Sequence, residues 1–293
     1  MNAGGVTMRV SHPSGPGAPW LVALLGFALM YAPVYWAAGH GIWQTDENGH
    51  GPLVMLVILW LFWNLRERIT DASHAPAPWL GWPLFVLGLL IYAFGRAFDI
   101  SSLEFGSQLF IAAGALLLLK GTTAVRVAWF AVAYIIFAVP LPASLVDAIT
   151  GPLKQWISII VQHVLFAAGY PISNSGVILT IGQYQLMVAD ACSGLNSMFS
   201  LSALGTLFMY VMGRKSVFHN AVMLASILPI AFAANIVRVV VLVMITYYMG
   251  DEAGQGFLHG AAGIVLMMVA LAVFFAVDWA LVRLLPEGRR GRK

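Results

Sequence analysis

The chain reads as an all-α polytopic membrane protein of about eight transmembrane helices, with an outer amphipathic helix and a short β-hairpin. Three observations predict this. Hydrophobic residues make up 60% of 293 and charged residues only 9%. Soluble domains carry about 25% charged residues, so this chain would precipitate as a water-exposed globule. Apolar segments recur near 20–39, 52–65, 79–95, 103–119, 124–141, 193–212, 217–249 and 258–285. The basic residues between them fall almost entirely on one side, as shown below.

The first residues, to Pro19, are polar and rich in Gly, Ser and Pro, with a single Arg9. They read as a cytoplasmic tail, 1–19. A full-length apolar span follows, so the segment resembles a signal anchor rather than a cleaved leader. The 52–65 stretch is short for a span of roughly 20 residues. Its helix is expected to begin in the preceding loop or to run on toward Arg66. The long 217–249 stretch contains Pro229, which predicts a kink or break. Residues 20–285 form one integral-membrane domain, and 286–293 are a basic cytoplasmic tail.

Orientation follows from Lys and Arg. With the N-terminus inside, the inner segments hold Arg9, Arg66, Arg68, Lys120, Arg126, Arg214, Lys215, Arg283, Arg289, Arg290, Arg292 and Lys293. The outer segments hold only Arg96 and Lys154, and Arg238 lies within an apolar helix. Both termini are then cytoplasmic. The net charge of +3 is explained by loop location and does not imply nucleic-acid binding. The sequence carries no mark of an oligomeric state.

The stretch from Pro140 to Ala191 stays outside in this topology. Lys154, Gln155, Ser158, Gln162 and His163 recur in it at helical spacing among Trp156, Ile157, Ile160, Val161, Val164 and Leu165. That pattern predicts an amphipathic helix lying in the interface. Next, Val177–Ile181 and Tyr184–Val188 flank Gly182-Gln183, which predicts a β-hairpin.

The hairpin leads to the only cysteine, Cys192. One cysteine excludes an internal disulfide framework and a cysteine-rich metal site. By the topology, Cys192 opens a helix that descends from the outer face. Arg238 lies 21 residues after Val217, a climb of about 31 Å, or one hydrocarbon thickness. His259 heads the last helix. All three therefore reach the outer boundary. A thiol is nucleophilic as thiolate, a guanidinium favours that form or binds an oxyanion, and an imidazole carries the proton. The sequence leaves open which of the two tasks Arg238 performs. Asn235 and Asn196 are candidates to orient a catalytic group, Asn235 on the face of Arg238 and Asn196 four residues after Cys192.

The blander readings are an inert apolar thiol, a structural histidine, and an arginine paired with Asp251, Glu252 or Asp190. A charge in an apolar segment is costly, however, and marks function by default. His50, in the polar outer loop Glu47-Asn48-Gly49-His50-Gly51-Pro52, suits a capping role or a substrate contact. His12, His40, His74 and His219 are expected to be ordinary. No P-loop, dinucleotide fingerprint, Gly-x-Ser-x-Gly or His-Glu-x-x-His pattern occurs. No metal or organic cofactor is expected.

The motifs resemble those of the exosortases and their archaeal relatives, the archaeosortases. The resemblance rests on Ala191-Cys192-Ser193-Gly194-Leu195 with Ser197 and Leu201, on Asn235-Ile236-Val237-Arg238-Val239, and on His259-Gly260-Ala261-Ala262-Gly263. His50-Gly51-Pro52 is similar to the family's early His-Gly element, and the Glu-Asn-Gly-His-Gly-Pro wording resembles the exosortase B branch. The resemblance implies a membrane-embedded cysteine protease or transpeptidase. It would act on PEP-CTERM proteins at the periplasmic face of the bacterial inner membrane, in organisms that make exopolysaccharide. It also implies Cys192 as nucleophile, Arg238 as stabilising cation and His259 as acid/base, with Ser193, Asn196, Asn235 and His50 in supporting places. Two other classes stay open: a non-enzymatic transporter or scaffold linked to exopolysaccharide export, and a membrane thiol acyltransferase.

Overall fold

Over their described residues, all eight apolar segments are helical, apart from 139–141 at the end of the fifth. The computed structural model describes residues 18–45, 48–72, 75–187, 196–213, 216–250 and 257–284, without the side chains of 18, 143, 147, 149, 196–198, 257–264, 266 and 267. Within that set the order is α1 (Ala18–His40), a 3-10 turn (Ile42–Gln44), α2 (Gly51–Asp71), α3 (Pro78–Ala97), α4 (Ser101–Lys120) and α5 (Thr122–Tyr134) with its 3-10 extension (Ile135–Ala138). Then come α6 (Ala143–Ala167), β1 (Ile172–Ser175), β2 (Ile178–Ile181), β3 (Tyr184–Met187), α7 (Asn196–Met212), α8 (Val217–Met249) and α9 (Phe257–Leu284).

Among the described residues, four helical stretches are long and apolar enough to cross a bilayer: Pro19–Gln44, Pro78–Ala97, Ser101–Lys120 and Val217–Met249. Thr122–Ala138 and Phe199–Met212 are apolar but shorter. The chain is therefore a membrane protein with several apolar helices. α2 begins at Gly51 with Pro52 in its first turn and runs through Arg66 to Asp71, as its short apolar stretch requires.

The helices pack as membrane helices do, through small residues that let backbones approach. α3 and α4 form the tightest pair. Gly81, Gly88 and Gly95, seven residues apart, are the buried residues of α3. A Cβ on Gly88 would lie 2.6 Å from Ile111 Cγ1, and one on Gly114 would lie 2.8 Å from the Phe85 backbone. The N-terminal half, α1 to α5, joins the rest through α5 and α7. There the Phe130 and Tyr210 rings stack with centroids 4.0 Å apart, and the Tyr134 hydroxyl donates to the Ala203 carbonyl at 3.1 Å.

The predicted hairpin is present, closed by Gly182-Gln183, but it belongs to a three-stranded antiparallel sheet in the order β1-β2-β3. The extra strand, Ile-Ser-Asn-Ser, is short and mostly polar, so it carries no apolar alternation to read. β1 also corrects the reading of α6. Ser158, placed on the polar stripe, is fully buried beside Ile157 and Val161, with Asn174 Nδ2 3.5 Å from its hydroxyl. Trp156 and Val164, placed on the apolar side, are exposed. The sheet, not a bilayer surface alone, sets which face of α6 is covered.

Pro229 does not break its helix: α8 runs 33 residues without interruption. Its first half packs with α7 and α9 around Met223, Ile227, Ala231, Ala270 and Phe274. Its second half packs with α6 and the sheet around Val239, Leu242 and Val243. Packing on both sides of the proline holds the helix together, as neighbours do in membrane bundles.

Candidate active site

α8 carries two of the three candidate residues whose side chains are described, the third being His50. Its buried residues form one winding stripe at spacings of three and four: His219, Met223, Ile227, Ala231, Asn235, Arg238, Leu242 and Thr246. Arg238 is only 8% exposed and Asn235 2%, so the prediction of a buried guanidinium in an apolar helix holds. Neither side chain is free. Arg238 sits where the helix leaves the α7–α9 bundle and meets the sheet.

The level of the sheet is informative. Open strand edges cannot face hydrocarbon, because nothing there satisfies their backbone groups. The apolar cluster that α6 and the sheet form with α8 runs from Phe232 and Ile236 through Val239, Leu242 and Val243 to Tyr247, and the tip at Gly182 lies against the Tyr247 ring, 3.6 Å from where a Cβ would stand. The last turns of α8 are thus at a membrane boundary, and Arg238 lies just below it.

α8 and α9 run antiparallel. Only seven residues join them, a reach of about 25 Å, whereas α9 is 28 residues long, or about 42 Å. Their register is pinned at the far end: His219 Nε2 lies 2.7 Å from Asp278 Oδ1, and both residues are buried. Arg238 is 19 positions beyond His219 on α8, and position 259 is 19 positions before Asp278 on α9. Both intervals rise about 28 Å along continuous helix. The backbone of His259, the third residue of α9, is therefore level with Arg238.

His219 was expected to be ordinary; instead it locks two helices. Its partner went unremarked in the sequence, though the signal was available. Asp278 is an acid inside an apolar segment, the same costly situation that singles out Arg238.

The remaining candidates stand as follows. Cys192 and Ser193 lie outside the described residues. Asn196 begins α7, and His259 lies in α9, by backbone only. His50 stands at the head of α2, in the N-terminal half. There Gly51 makes room for the Trp43 indole, whose Nε1 would be 2.2 Å from a Cβ at that position. Trp43 in turn stacks on Tyr35, centroids 6.1 Å apart, and the Tyr35 hydroxyl donates to Gln108 Oε1 at 2.7 Å. Asp46 and Glu47 of the same loop are outside the described residues.

The opposite boundary has its own markers. Arg66 lies over the Trp63 ring, 4.3 Å from its centroid, and Arg283 over Trp279 at 3.9 Å. Tryptophan beside a cation is the usual anchor at the headgroup level. Trp279 directly follows Asp278, so the His219–Asp278 lock is near one boundary and Arg238 about one hydrocarbon thickness away.

One comparison identifies relatives. A family model described as transmembrane exosortase (Exosortase_EpsH) matches residues 42–276, which spans α2 to α9 and every candidate residue. No curated protein and no solved structure matches the chain.

Proposed function

The chain belongs to the transmembrane exosortase family, and from that premise we propose that it is a membrane-embedded cysteine protease or transpeptidase. Its substrates are membrane-anchored proteins with C-terminal PEP-CTERM sorting signals. It works at the outer face of the bacterial inner membrane, with eight spans, both termini in the cytoplasm and the site toward the periplasm. A sorting signal that is itself one apolar helix diffuses laterally to the enzyme and presents its junction at that boundary.

Cys192 is the nucleophile, Arg238 the stabilising cation and His259 the acid/base. The imidazole takes the thiol proton as sulfur bonds to the scissile carbonyl carbon. Negative charge gathers on the carbonyl oxygen, and a guanidinium stabilises it there or favours the attacking thiolate. The proton passes to the leaving amine as the C–N bond breaks, leaving a thioester. Water or an acceptor amine then attacks the thioester and frees the thiol. Asn196, Asn235 and Ser193 orient these groups, and His50 touches substrate from the N-terminal half.

The observation that carries this reading is the helix register. Position 259 is level with a buried Arg238, and the chain reaches Cys192 five residues after β3 of the sheet beside that level. A sulfur, a guanidinium and an imidazole drawn from three distant parts of the chain need such a common level. Cys192→Ala should leave the protein inserted and folded while abolishing processing of a co-expressed PEP-CTERM substrate followed by mass. Full processing by that variant would rule out the thiol mechanism.

A further inference from the structure

Among the described residues β3 is an edge strand that pairs with β2 alone, while α6 packs beside the opposite edge strand, β1. The turn Ile181-Gly182-Gln183-Tyr184 has Gly182 at φ +59°, the arrangement of a two-residue hairpin with glycine at the first central position. Ile181 and Tyr184, which close it, are a hydrogen-bonded pair, and pairs alternate along an antiparallel ladder. Leu179–Leu186 is the next bonded pair. Gln185 and Met187 therefore turn their N–H and C=O groups away from β2. Both residues are exposed. Among the described residues, those outward groups have no backbone partner.

Four backbone groups thus stand in a row at a spacing of two residues, about 7 Å. Hydrocarbon cannot satisfy them, and an open edge is a template for another extended chain. Cys192 follows the end of this strand by five residues in the chain. The turn that starts the strand lies against Tyr247 of α8, in the apolar cluster that also holds Ile236 and Val239 on either side of Arg238.

We infer that this edge is the substrate-docking element: an extended segment of the substrate, just outside its membrane anchor, adds to β3 as a fourth strand through the N–H and C=O groups of Gln185 and Met187. The inference rests on the reading of Cys192 as nucleophile and adds how the scissile peptide reaches it. Strand addition holds the peptide extended by main-chain bonds that any sequence can make. Side chains then alternate between the sheet's two faces, so recognition falls on every second residue.

The test removes the outward donors one at a time. Proline at an edge position deletes an N–H that β2 does not use. Gln185→Pro and Met187→Pro should each raise KM by about tenfold, the loss falling on KM rather than kcat. The second arm leaves the enzyme untouched. Synthetic peptides copied from the processed junction of the co-expressed substrate carry one N-methylated amide each, stepped along the chain. Inhibition of binding should alternate with a period of two residues. A flat profile, or unchanged KM in both well-folded proline variants, overturns the inference. So does a photo-crosslinker at position 185 that joins two copies of the enzyme and never the substrate. Cys192→Ala, assayed in parallel, separates the two claims. Loss of processing there with unaltered proline variants removes only the docking strand; retained processing removes the thiol reading beneath it.

Discussion

Replacing His219 by leucine takes away a bond that pins α8 to α9, 2.7 Å between His219 Nε2 and Asp278 Oδ1. The Asp278 side chain is 11% exposed and that of His219 5%. Removing one partner of such a buried pair costs about 3 kcal/mol, because a mostly buried carboxylate loses one of its partners. For a chain of this size that is a fall of about 6–12 °C in Tm. His219→Leu with Asp278→Leu restores apolar matching and should recover most of it, to within about 1 kcal/mol of the parent. The coupling energy from the four-member cycle is then at least about 2 kcal/mol, larger by whatever Asp278→Leu alone costs. The functional consequence follows from the register. A slip of one helical turn moves position 259 about 5.4 Å away from the level of Arg238, beyond hydrogen-bond reach of a shared group. His219→Leu should therefore lose activity even at temperatures where it stays folded. The assay is thermal unfolding of the purified proteins in one detergent, beside processing of the co-expressed substrate. A coupling below about 0.5 kcal/mol, or full processing in the single variant, would refute the lock.

Three further outcomes are expected. Arg238→Lys keeps the charge but loses the planar fork, and should lower turnover about a hundredfold if the guanidinium binds the oxyanion; near-normal turnover would make Arg238 structural. Gly114→Ala must push against the Phe85 backbone at 2.8 Å, whereas Gly106→Ala on the same helix meets open space. The first should cost about 1–3 kcal/mol and the second nothing, as read by thermal unfolding. Impermeant thiol reagents should label Cys192, and a cysteine introduced at 259 in a Cys192→Ser background, from the outside only; labelling of either from the cytoplasm would contradict the topology.

Much of the fold is legible in the sequence because its cause is local. Eight apolar segments become helices since a bilayer admits no other way to satisfy so many backbone groups. The Gly182-Gln183 turn is visible because glycine supplies the positive φ that the hairpin needs. β1 is not visible, because Ile172–Ser175 has no pattern of its own and is held by its neighbours. Ser158 was misplaced for the same reason: β1 covers the face that composition assigns to water. Arg238 stands out by the cost of its charge. Asp278 stands out equally, yet its meaning depends on a partner 59 residues away.

Composition, segment lengths and the placement of Lys and Arg by themselves determine that this chain lives in a membrane, and they name the residue types able to do thiol chemistry. Family membership rests on motifs that sequence comparison reads directly. Tertiary structure alone decides which positions share a level. The 19-residue intervals on α8 and α9 acquire meaning only once His219 meets Asp278. The reason is physical: helix formation follows from neighbours along the chain, but the axial register of two helices is set by side chains that touch across it.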